Sequence, residues 1–137
     1  MTPVEKKRIL AVDDDVSIAE FYETSLKLMG FDVRVAASAS AAKEAIRLHR
    51  PDLILMDIMM PEQDGISFTR ELRNDKKTSD IPIVMVSGLA DAGTLQDALL
   101  FGAVGYLVKP VDHDTLKAKI DSTLAAIEHR NNNKKTS

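Results

Sequence analysis

The fold is decided by the segment DLILMDIMMP (residues 52–61), in which four apolar residues come directly before Asp57. An apolar run of this length that ends at a polar residue is typical of a buried strand in a parallel sheet. Pro61 suits a connection, where its missing N–H is tolerated. The segment therefore predicts a buried strand whose carboxyl end carries a carboxylate.

Three further segments share this pattern, each an apolar run that ends at a residue suited to handling a phosphoryl group. The runs and the residues that follow them are 9–12 with Asp13 and Asp14, 83–86 with Ser87, and 106–108 with Lys109. In an open parallel sheet, ligands bind just beyond the carboxyl ends of the strands. The sequence therefore predicts three carboxylates, a hydroxyl and an ammonium along one edge of one sheet.

Apolar runs alternate with helix-like segments along the chain, which is the βα pattern of a parallel sheet. The predicted strands cover residues 8–12, 32–36, 52–56, 82–87 and 104–108. The predicted helices cover residues 16–29, 39–49, 65–74, 92–101 and 113–128. Right-handed crossovers place helices on both faces, so we expect a doubly wound α/β sandwich of three layers. Five strands without a glycine-rich phosphate fingerprint favour the flavodoxin-like strand order 2-1-3-4-5.

Length and composition limit the class of protein. The 137 residues, 45% hydrophobic and 28% charged, suit one domain with a sizeable core, and the net charge of −3 gives no general attraction to nucleic acid or to an anionic membrane. The absence of cysteine excludes disulfides and thiolate metal sites. No apolar run approaches the ~20 residues that span a bilayer, and we expect a cytoplasmic protein. Residues 1–7 are predicted to be a solvated lead and residues 129–137 a polar, frayed tail.

Three carboxylates at one sheet edge repel one another and need compensation. Two like charges ~4 Å apart repel by roughly 4 kcal/mol at an effective dielectric of ~20, so either one acid binds a proton or a cation lies among them. Lys109 supplies one positive charge, and the all-oxygen donor set of Asp13, Asp14 and Asp57 suits Mg²⁺. A carboxylate can attack a phosphoryl group while a metal and a lysine neutralise its oxygens. These residues therefore form a complete set for phosphoryl transfer to an aspartate.

Taken together, the four segments resemble the receiver domain of bacterial two-component response regulators. The motifs that carry the resemblance are residues 9–15, residues 52–61 with Asp64-Gly65, residues 81–88 and residues 105–110. The resemblance covers about residues 8–128. One such motif alone would be weak, but four in order, each at the end of a predicted strand, are highly specific.

The resemblance implies roles for the acidic residues. Asp57 would be the phosphoacceptor, and Asp13 and Asp14 would bind Mg²⁺, with Asp14 the better candidate for a direct ligand and Asp13 for ligation through water. The backbone carbonyl of Met59 would be a further ligand. In this family the positions that tune the lifetime of the phosphoryl group are occupied here by Met59 and Leu89, both apolar. Because neither can orient an attacking water, we expect slow self-dephosphorylation.

The resemblance also implies a switch and its partners. Ser87 would turn toward the phosphoryl group, Lys109 would pair with it across a cis Lys109–Pro110 peptide, and Tyr106 would turn inward when Ser87 moves. Targets would contact the face of the fourth helix, fifth strand and fifth helix, from about Thr94 to Ala125.

The expected phosphodonor is a histidine kinase or a histidine phosphotransfer protein. The downstream target is a protein that the sequence does not name, and a dimer that forms on phosphorylation is compatible with this reading. The domain would act on no substrate other than itself and would bind neither nucleic acid nor membrane directly.

Several alternatives stay open at this point. A phosphatase of the haloacid dehalogenase type would need an acid two residues after Asp57, where this chain has Met59. A flavodoxin-like cofactor module would bring a phosphate against residues 13–15, which would repel it. A degenerate receiver that binds partners without phosphorylation is disfavoured by the intact site residues. The first helix has a possible capping box that begins at Ser17, and Asp15 is a rival start. Asp15 is either a helix cap or a metal ligand, and the cap is favoured.

Overall fold

Five strands alternate with five helices along the chain in the computed structural model, which describes residues 6–89 and 91–136. The strands are β1 (Arg8–Val12), β2 (Asp32–Ala36), β3 (Leu53–Met56), β4 (Ile83–Ser87) and β5 (Gly105–Val108). The helices are α1 (Val16–Leu28), α2 (Ala39–Leu48), α3 (Gly65–Asn74), α4 (Ala92–Leu100) and α5 (His113–Thr136).

All five strands are parallel and form one sheet in the order β2-β1-β3-β4-β5. The predicted fold class and strand order are therefore confirmed. The register pairs Val12 with Met56, Met56 with Met85, and Ser87 with Val108. The carboxyl ends of β1, β3, β4 and β5 consequently lie next to one another, and the candidate residues lie at or directly after these ends.

The strand side chains alternate between two apolar clusters, one on each face of the sheet. On one face Ile54 lies in a cluster with Phe68 of α3, to which α2 and α4 also contribute. On the other face Leu55 lies in a cluster with Tyr22 of α1 and Leu116 of α5. Full burial of one such side chain is worth about 1.5–3 kcal/mol. The packing on both faces holds the sheet, and with it the strand ends, in a fixed arrangement.

Several element ends differ from the prediction by one residue. Met29, His49 and Phe101 cap α1, α2 and α4 instead of continuing them. Strands β3, β4 and β5 each begin one residue later than predicted. These shifts do not move any candidate residue away from its strand end.

The larger correction concerns the polar tail. The prediction that residues 129–137 are frayed is wrong for residues 129–136, because α5 continues without a break to Thr136; residue 137 lies outside the described residues. The stretch from His113 to Thr136 contains neither glycine nor proline. Each added residue therefore extends an existing helix by one hydrogen bond, which is far easier than starting a new one.

The predicted lead is described only at Lys6 and Lys7, since residues 1–5 lie outside the described residues. Both lysines are exposed, and the Lys7 carbonyl accepts the N–H of Asp32 at 2.9 Å, so the lead joins the margin of the sheet. Across residues 6–89 and 91–136, no helix combines the length and the apolar character needed to cross a bilayer.

Candidate functional site

The two central acids extend the backbone ladder of the sheet by one residue. The N–H of Asp57 donates to the carbonyl of Val12 at 2.9 Å, and the N–H of Asp13 donates to the carbonyl of Ala36 at 3.0 Å. Both residues therefore have fixed backbones although they lie beyond the last residues of β3 and β1. The sheet, rather than a loose loop, sets the distance between their side chains.

Three carboxylates gather at this edge. One oxygen from each of Asp13, Asp14 and Asp57 lies within 4.8 Å of the other two. Asp13 and Asp57 are only 2% and 6% exposed, whereas Asp14 is exposed to solvent. A closely spaced, all-oxygen donor set with one open side fits a hard divalent cation that keeps several waters. The chemistry of these residues therefore fits Mg²⁺.

Lys109 directly follows the edge strand β5, and its side chain extends along the carboxyl edge of the sheet to the acids. Its Nζ donates to Oδ2 of Asp13 at 2.7 Å and lies 3.4 Å from Oδ2 of Asp57. The Lys109–Pro110 peptide bond is cis, as the resemblance implies. One ammonium is thus shared by two nearly buried carboxylates, and it neutralises only part of their charge.

The electrostatics of the site follow from this imbalance. Burial raises the pKa of the Asp57 carboxyl and the charge of Asp13 raises it further, while Lys109 and the N–H of Met59 oppose the rise. Burial opposes the charge of Lys109, but hydrogen bonding and attraction to Asp13 and Asp57 outweigh it, so the pKa of the ammonium is raised. Asp57 is therefore a carboxylate whose charge is under-compensated, and a second cation or a proton would relieve it.

Helix α3 packs directly behind the central acid. A Cβ added to Gly65, the first residue of α3, would lie 2.1 Å from the backbone carbonyl oxygen of Asp57. The N–H of Gly65 donates to the carbonyl of Ile58 at 2.8 Å, and Asp64 caps the helix by accepting the N–H of Ser67. The Asp64-Gly65 pair thus closes the loop after β3 tightly, since glycine alone fits this approach.

Asp15 caps α1 and lies outside the carboxylate cluster. Its Oδ1 accepts the N–H groups of Ser17 and Ile18 at 2.8 and 3.2 Å, so the helix begins after Asp15 and the capping box predicted at Ser17 is wrong. Oδ1 of Asp13 in turn accepts the N–H of Asp15 at 2.9 Å. The positive end of the α1 dipole therefore lies beside the acids.

Ser87 and Tyr106 form a second group, linked through the loop after β4. The Tyr106 hydroxyl donates to the carbonyl of Leu89 at 2.5 Å, and the N–H of Leu89 donates to Oγ of Ser87 at 3.3 Å. Burial raises the pKa of the Tyr106 phenol, and the neighbouring Ser87 hydroxyl opposes that rise. The ring packs against the core cluster of α2, α3 and α4, so the tyrosine is already turned inward.

Tyr22 and Met59 affect the site in ways that sequence reasoning missed. Tyr22 is buried in the core, and its phenol pKa is raised by burial and then by the charges of Asp13 and Asp57, so both acids act on its hydroxyl electrostatically. A tyrosine among the apolar residues of an inner helix face was the available signal. The Met59 N–H hydrogen bond to Asp57 comes from the backbone, which leaves no signal in the sequence.

Comparison with known proteins assigns the family. The sequence profile described as "Response regulator receiver domain" matches residues 9–121. The chain belongs to the response regulator receiver family. The receiver domain is thereby a component of two-component signalling, in agreement with the resemblance drawn from the four strand-end motifs.

Full-length relatives are transcriptional regulators by name. The receiver domain is 40% identical over 126 residues to the "Probable transcriptional regulator ycf27" of Cyanophora paradoxa, covering 92% of this chain and 52% of the relative. It is 35% identical over 120 residues to the "DNA-binding dual master transcriptional regulator RpaA" of Synechocystis, covering 85% of this chain and 48% of the relative. The chain spans about half the length of the curated relatives it matches.

Solved structures share the whole fold. A CheY-like receiver domain protein from Methanospirillum hungatei superposes with a TM-score of 0.85 at 31% identity, covering 92% of this chain and 99% of that one. The chemotaxis protein CheY4 of Vibrio cholerae gives a TM-score of 0.82 at 30% identity, covering 86% of this chain and 98% of that one. These similarities agree with the strand order found in the receiver domain.

Proposed function

We propose that this receiver domain is a phosphorylation-activated switch that accepts a phosphoryl group on Asp57. The observation that carries the proposal is the Lys109 ammonium, which contacts both Asp13 and Asp57. These two acids form one carboxylate cluster with Asp14 at the carboxyl edge of the sheet. This arrangement holds one nearly buried carboxylate as a nucleophile and keeps positive charge beside it. The receiver unit itself would extend over residues 8–128.

The donor would be a phosphohistidine of a histidine kinase or of a histidine phosphotransfer protein. An oxygen of the Asp57 carboxylate attacks phosphorus, and a P–O bond forms while the P–N bond to the donor imidazole breaks. The electron pair of the broken bond stays on the imidazole nitrogen, which takes a proton from solvent. The product is an acyl phosphate on Asp57, and the Lys109 ammonium offsets the charge that the transferred group brings.

Asp13, Asp14 and Asp57, with the backbone carbonyl of Met59, would hold Mg²⁺. When bound, the ion would shield the negative charge of the phosphoryl oxygens and of the acids. The fit rests on the oxygen donors and on their spacing within 4.8 Å. The raised pKa of Asp57 supports the same assignment, because it identifies a carboxylate that needs more positive charge than Lys109 supplies.

Phosphorylation would be read out through Ser87 and Tyr106. Ser87 would leave the N–H of Leu89 and turn toward the phosphoryl oxygens, and Tyr106 would keep or strengthen its inward position. The switch works only if the phosphoryl group binds one of the two arrangements better. The output face would run from about Thr94 to Ala125, where Leu95, Leu99, Leu100 and Val108 are exposed.

The phosphoryl group should leave slowly. Met59 follows the acceptor by two residues and is 66% exposed, and Leu89 is half-buried beside the switch hydroxyl. Neither side chain can donate or accept a hydrogen bond that would orient an attacking water. We therefore expect self-dephosphorylation over many minutes or longer.

Location, catalytic scope and partners complete the proposal. We propose that the domain works in the cytoplasm, catalyses only its own phosphorylation and dephosphorylation, and passes its signal to a downstream protein. Direct contact with nucleic acid is not expected from this segment, whose net charge is −3. The name of the Synechocystis relative, "DNA-binding", makes DNA binding by a longer form of this protein a proposal. A dimer that forms on phosphorylation would use the same output face.

Labelling with acetyl phosphate and Mg²⁺, followed by intact-mass and peptide analysis, tests the proposal. The wild-type chain should gain one phosphoryl group on Asp57, and Asp57→Ala should gain none. Asp64→Asn is the matched control, because it changes an acid in the same loop and keeps a helix cap; it should label normally. Lys109→Met should still label but should lose the response of the output face. Equal labelling of Asp57→Ala, or a folded wild type that never labels, would contradict the proposal.

A further inference from the structure

The C-terminal end of α4 is held by the half-buried side chain of Arg73, which extends from α3. Nε and Nη2 of Arg73 donate to the carbonyl of Gly102 at 3.0 and 2.9 Å. Nη1 donates to the carbonyls of Ile81 and Ser79 at 2.7 and 3.3 Å. The half-buried guanidinium therefore ties three backbone segments together: its own helix, the loop before β4 and the turn after α4.

A second arginine of α3, Arg70, contacts Phe101, the residue before Gly102. Cζ of Arg70 lies 5.4 Å from the centre of the Phe101 ring, a cation–π distance. Arg70 and Arg73 lie three residues apart and so share one face of α3. Together they contact Phe101 and Gly102, the two residues that directly follow α4.

The turn that they hold is built for this contact. Gly102 has φ of +118°, and a Cβ there would lie 2.6 Å from Cγ of Arg73. The N–H groups of Gly102 and Ala103 donate to the carbonyls of Leu99 and Ala98, which closes the helix end. Glycine is therefore required both by the backbone conformation and by the arginine that lies against it.

The rest of α4 is weakly packed. Among the residues of α4, all of them described, only Ala98 is buried. Leu89 lies in the loop that precedes α4. Its carbonyl accepts a hydrogen bond from the Tyr106 hydroxyl, and its N–H donates to Ser87. One end of α4 is thus connected to the switch residues, and the other end is connected to α3.

We propose that Arg70 and Arg73 form a clasp that fixes the C-terminal end of α4, so that the helix pivots about Phe101 and Gly102 when Ser87 turns away from the N–H of Leu89. Arg73 is then a positioning residue: it directs the movement of the output face and takes no part in the chemistry at Asp57. The clasp is a property of the unphosphorylated chain. Only the trigger of the pivot rests on the proposed function.

Amide hydrogen exchange of the unliganded protein tests the clasp. Arg73→Met should speed exchange of the Gly102 and Ala103 amides at least tenfold, and Arg73→Lys should restore part of the protection. Arg50→Met is the matched control, since Arg50 bonds to Lys77 and Asp80 near the same loop before β4. It should change these two amides less than twofold. Equal effects of Arg73→Met and Arg50→Met would overturn the clasp.

Beryllium fluoride with Mg²⁺, used as a phosphoryl mimic, tests the pivot. In the wild type, exchange and amide shifts should change most near Thr94 and least near Gly102. Arg73→Met should flatten that gradient while the affinity for the mimic changes less than threefold. If Arg73→Met does not fold, Arg70→Gln and Phe101→Leu give the same comparison at the exposed contact. A wild type that changes uniformly along α4 would overturn the pivot, whereas a wild type that never binds the mimic would overturn the proposed function and leave the clasp to the first experiment.

Discussion

Replacing Asp57 with asparagine should stabilise the unliganded protein, although it removes the central residue of the site. The carboxylate oxygens of Asp13 and Asp57 lie within 4.8 Å, which corresponds to a repulsion of at least about 3.5 kcal/mol at an effective dielectric of ~20. Asp14 adds a similar repulsion that solvent weakens, because it is exposed. Lys109 at 3.4 Å returns about 5 kcal/mol on the same scale.

A net repulsion of about 1–2 kcal/mol remains at Asp57 after these contributions. Asparagine has the same shape and can still accept the N–H of Met59. We therefore expect Asp57→Asn to raise the free energy of unfolding by about 1–2 kcal/mol at pH 7 without divalent cations, a rise of roughly 3–8 °C in Tm. Thermal and urea unfolding followed by circular dichroism measures this.

The pH dependence checks the cause. Because folding raises the pKa of Asp57, the folded state favours its neutral form. The charged carboxylate therefore weakens the fold at pH 7, and the penalty fades as pH falls through the folded pKa. The advantage of Asp57→Asn should shrink as the pH falls from 7 toward the ordinary pKa of an aspartate. Asp97→Asn, which removes an exposed charge on α4, should change stability by less than about 0.5 kcal/mol. An Asp57→Asn protein no more stable than wild type at pH 7, or an advantage independent of pH, would refute the reasoning.

Three further outcomes follow from the same geometry. Mg²⁺ at one hundred times its Kd should stabilise the wild type by about 2.7 kcal/mol in thermal melts and Asp57→Asn much less; equal stabilisation would count against the acid cluster as the binding site. Met59→Asn should shorten the phosphoryl half-life on the order of tenfold by orienting water, whereas Met59→Leu should leave it unchanged in the same decay assay. Gly65→Ala should cost about 1–3 kcal/mol or more in urea unfolding because its Cβ meets the Asp57 carbonyl, while Gly93→Ala on exposed α4, where a Cβ meets only ordinary contacts, should cost nothing; a tolerated Gly65→Ala would disprove the close packing.

The parts of the fold that depend on local pattern could be predicted from the sequence. Four apolar runs, each ending at a polar residue, predict four of the five strands, and parallel pairing brings the ends of these strands to one edge. Asp13, Asp57 and Lys109 meet there because strand order fixes which ends are neighbours. The sequence leaves the start of α1 open between Asp15 and Ser17, since both are good caps and only the backbone hydrogen bonds distinguish them.

Features that depend on long-range contacts or on the backbone could not be predicted. Arg73 meets Gly102 across 29 positions of sequence, and nothing near either residue indicates the other. The length of α5 was underestimated because polar residues after Glu128 carry no periodic pattern, although nothing in them stops a helix. The hydrogen bond from Met59 to Asp57 uses a main-chain group that every residue has.

The hydrogen bond from the Asp15 N–H to Asp13 places the N-terminus of α1 beside the acids, and the positive end of a helix dipole does not titrate. Lys109 would surrender its charge in sufficiently alkaline solution, but the aligned peptide groups of a helix keep their polarity at every pH. This rim therefore combines one adjustable source of positive potential with one that is permanent. The helix dipole therefore sets a minimum positive potential at the acids, which remains at any pH even when Lys109 is neutral.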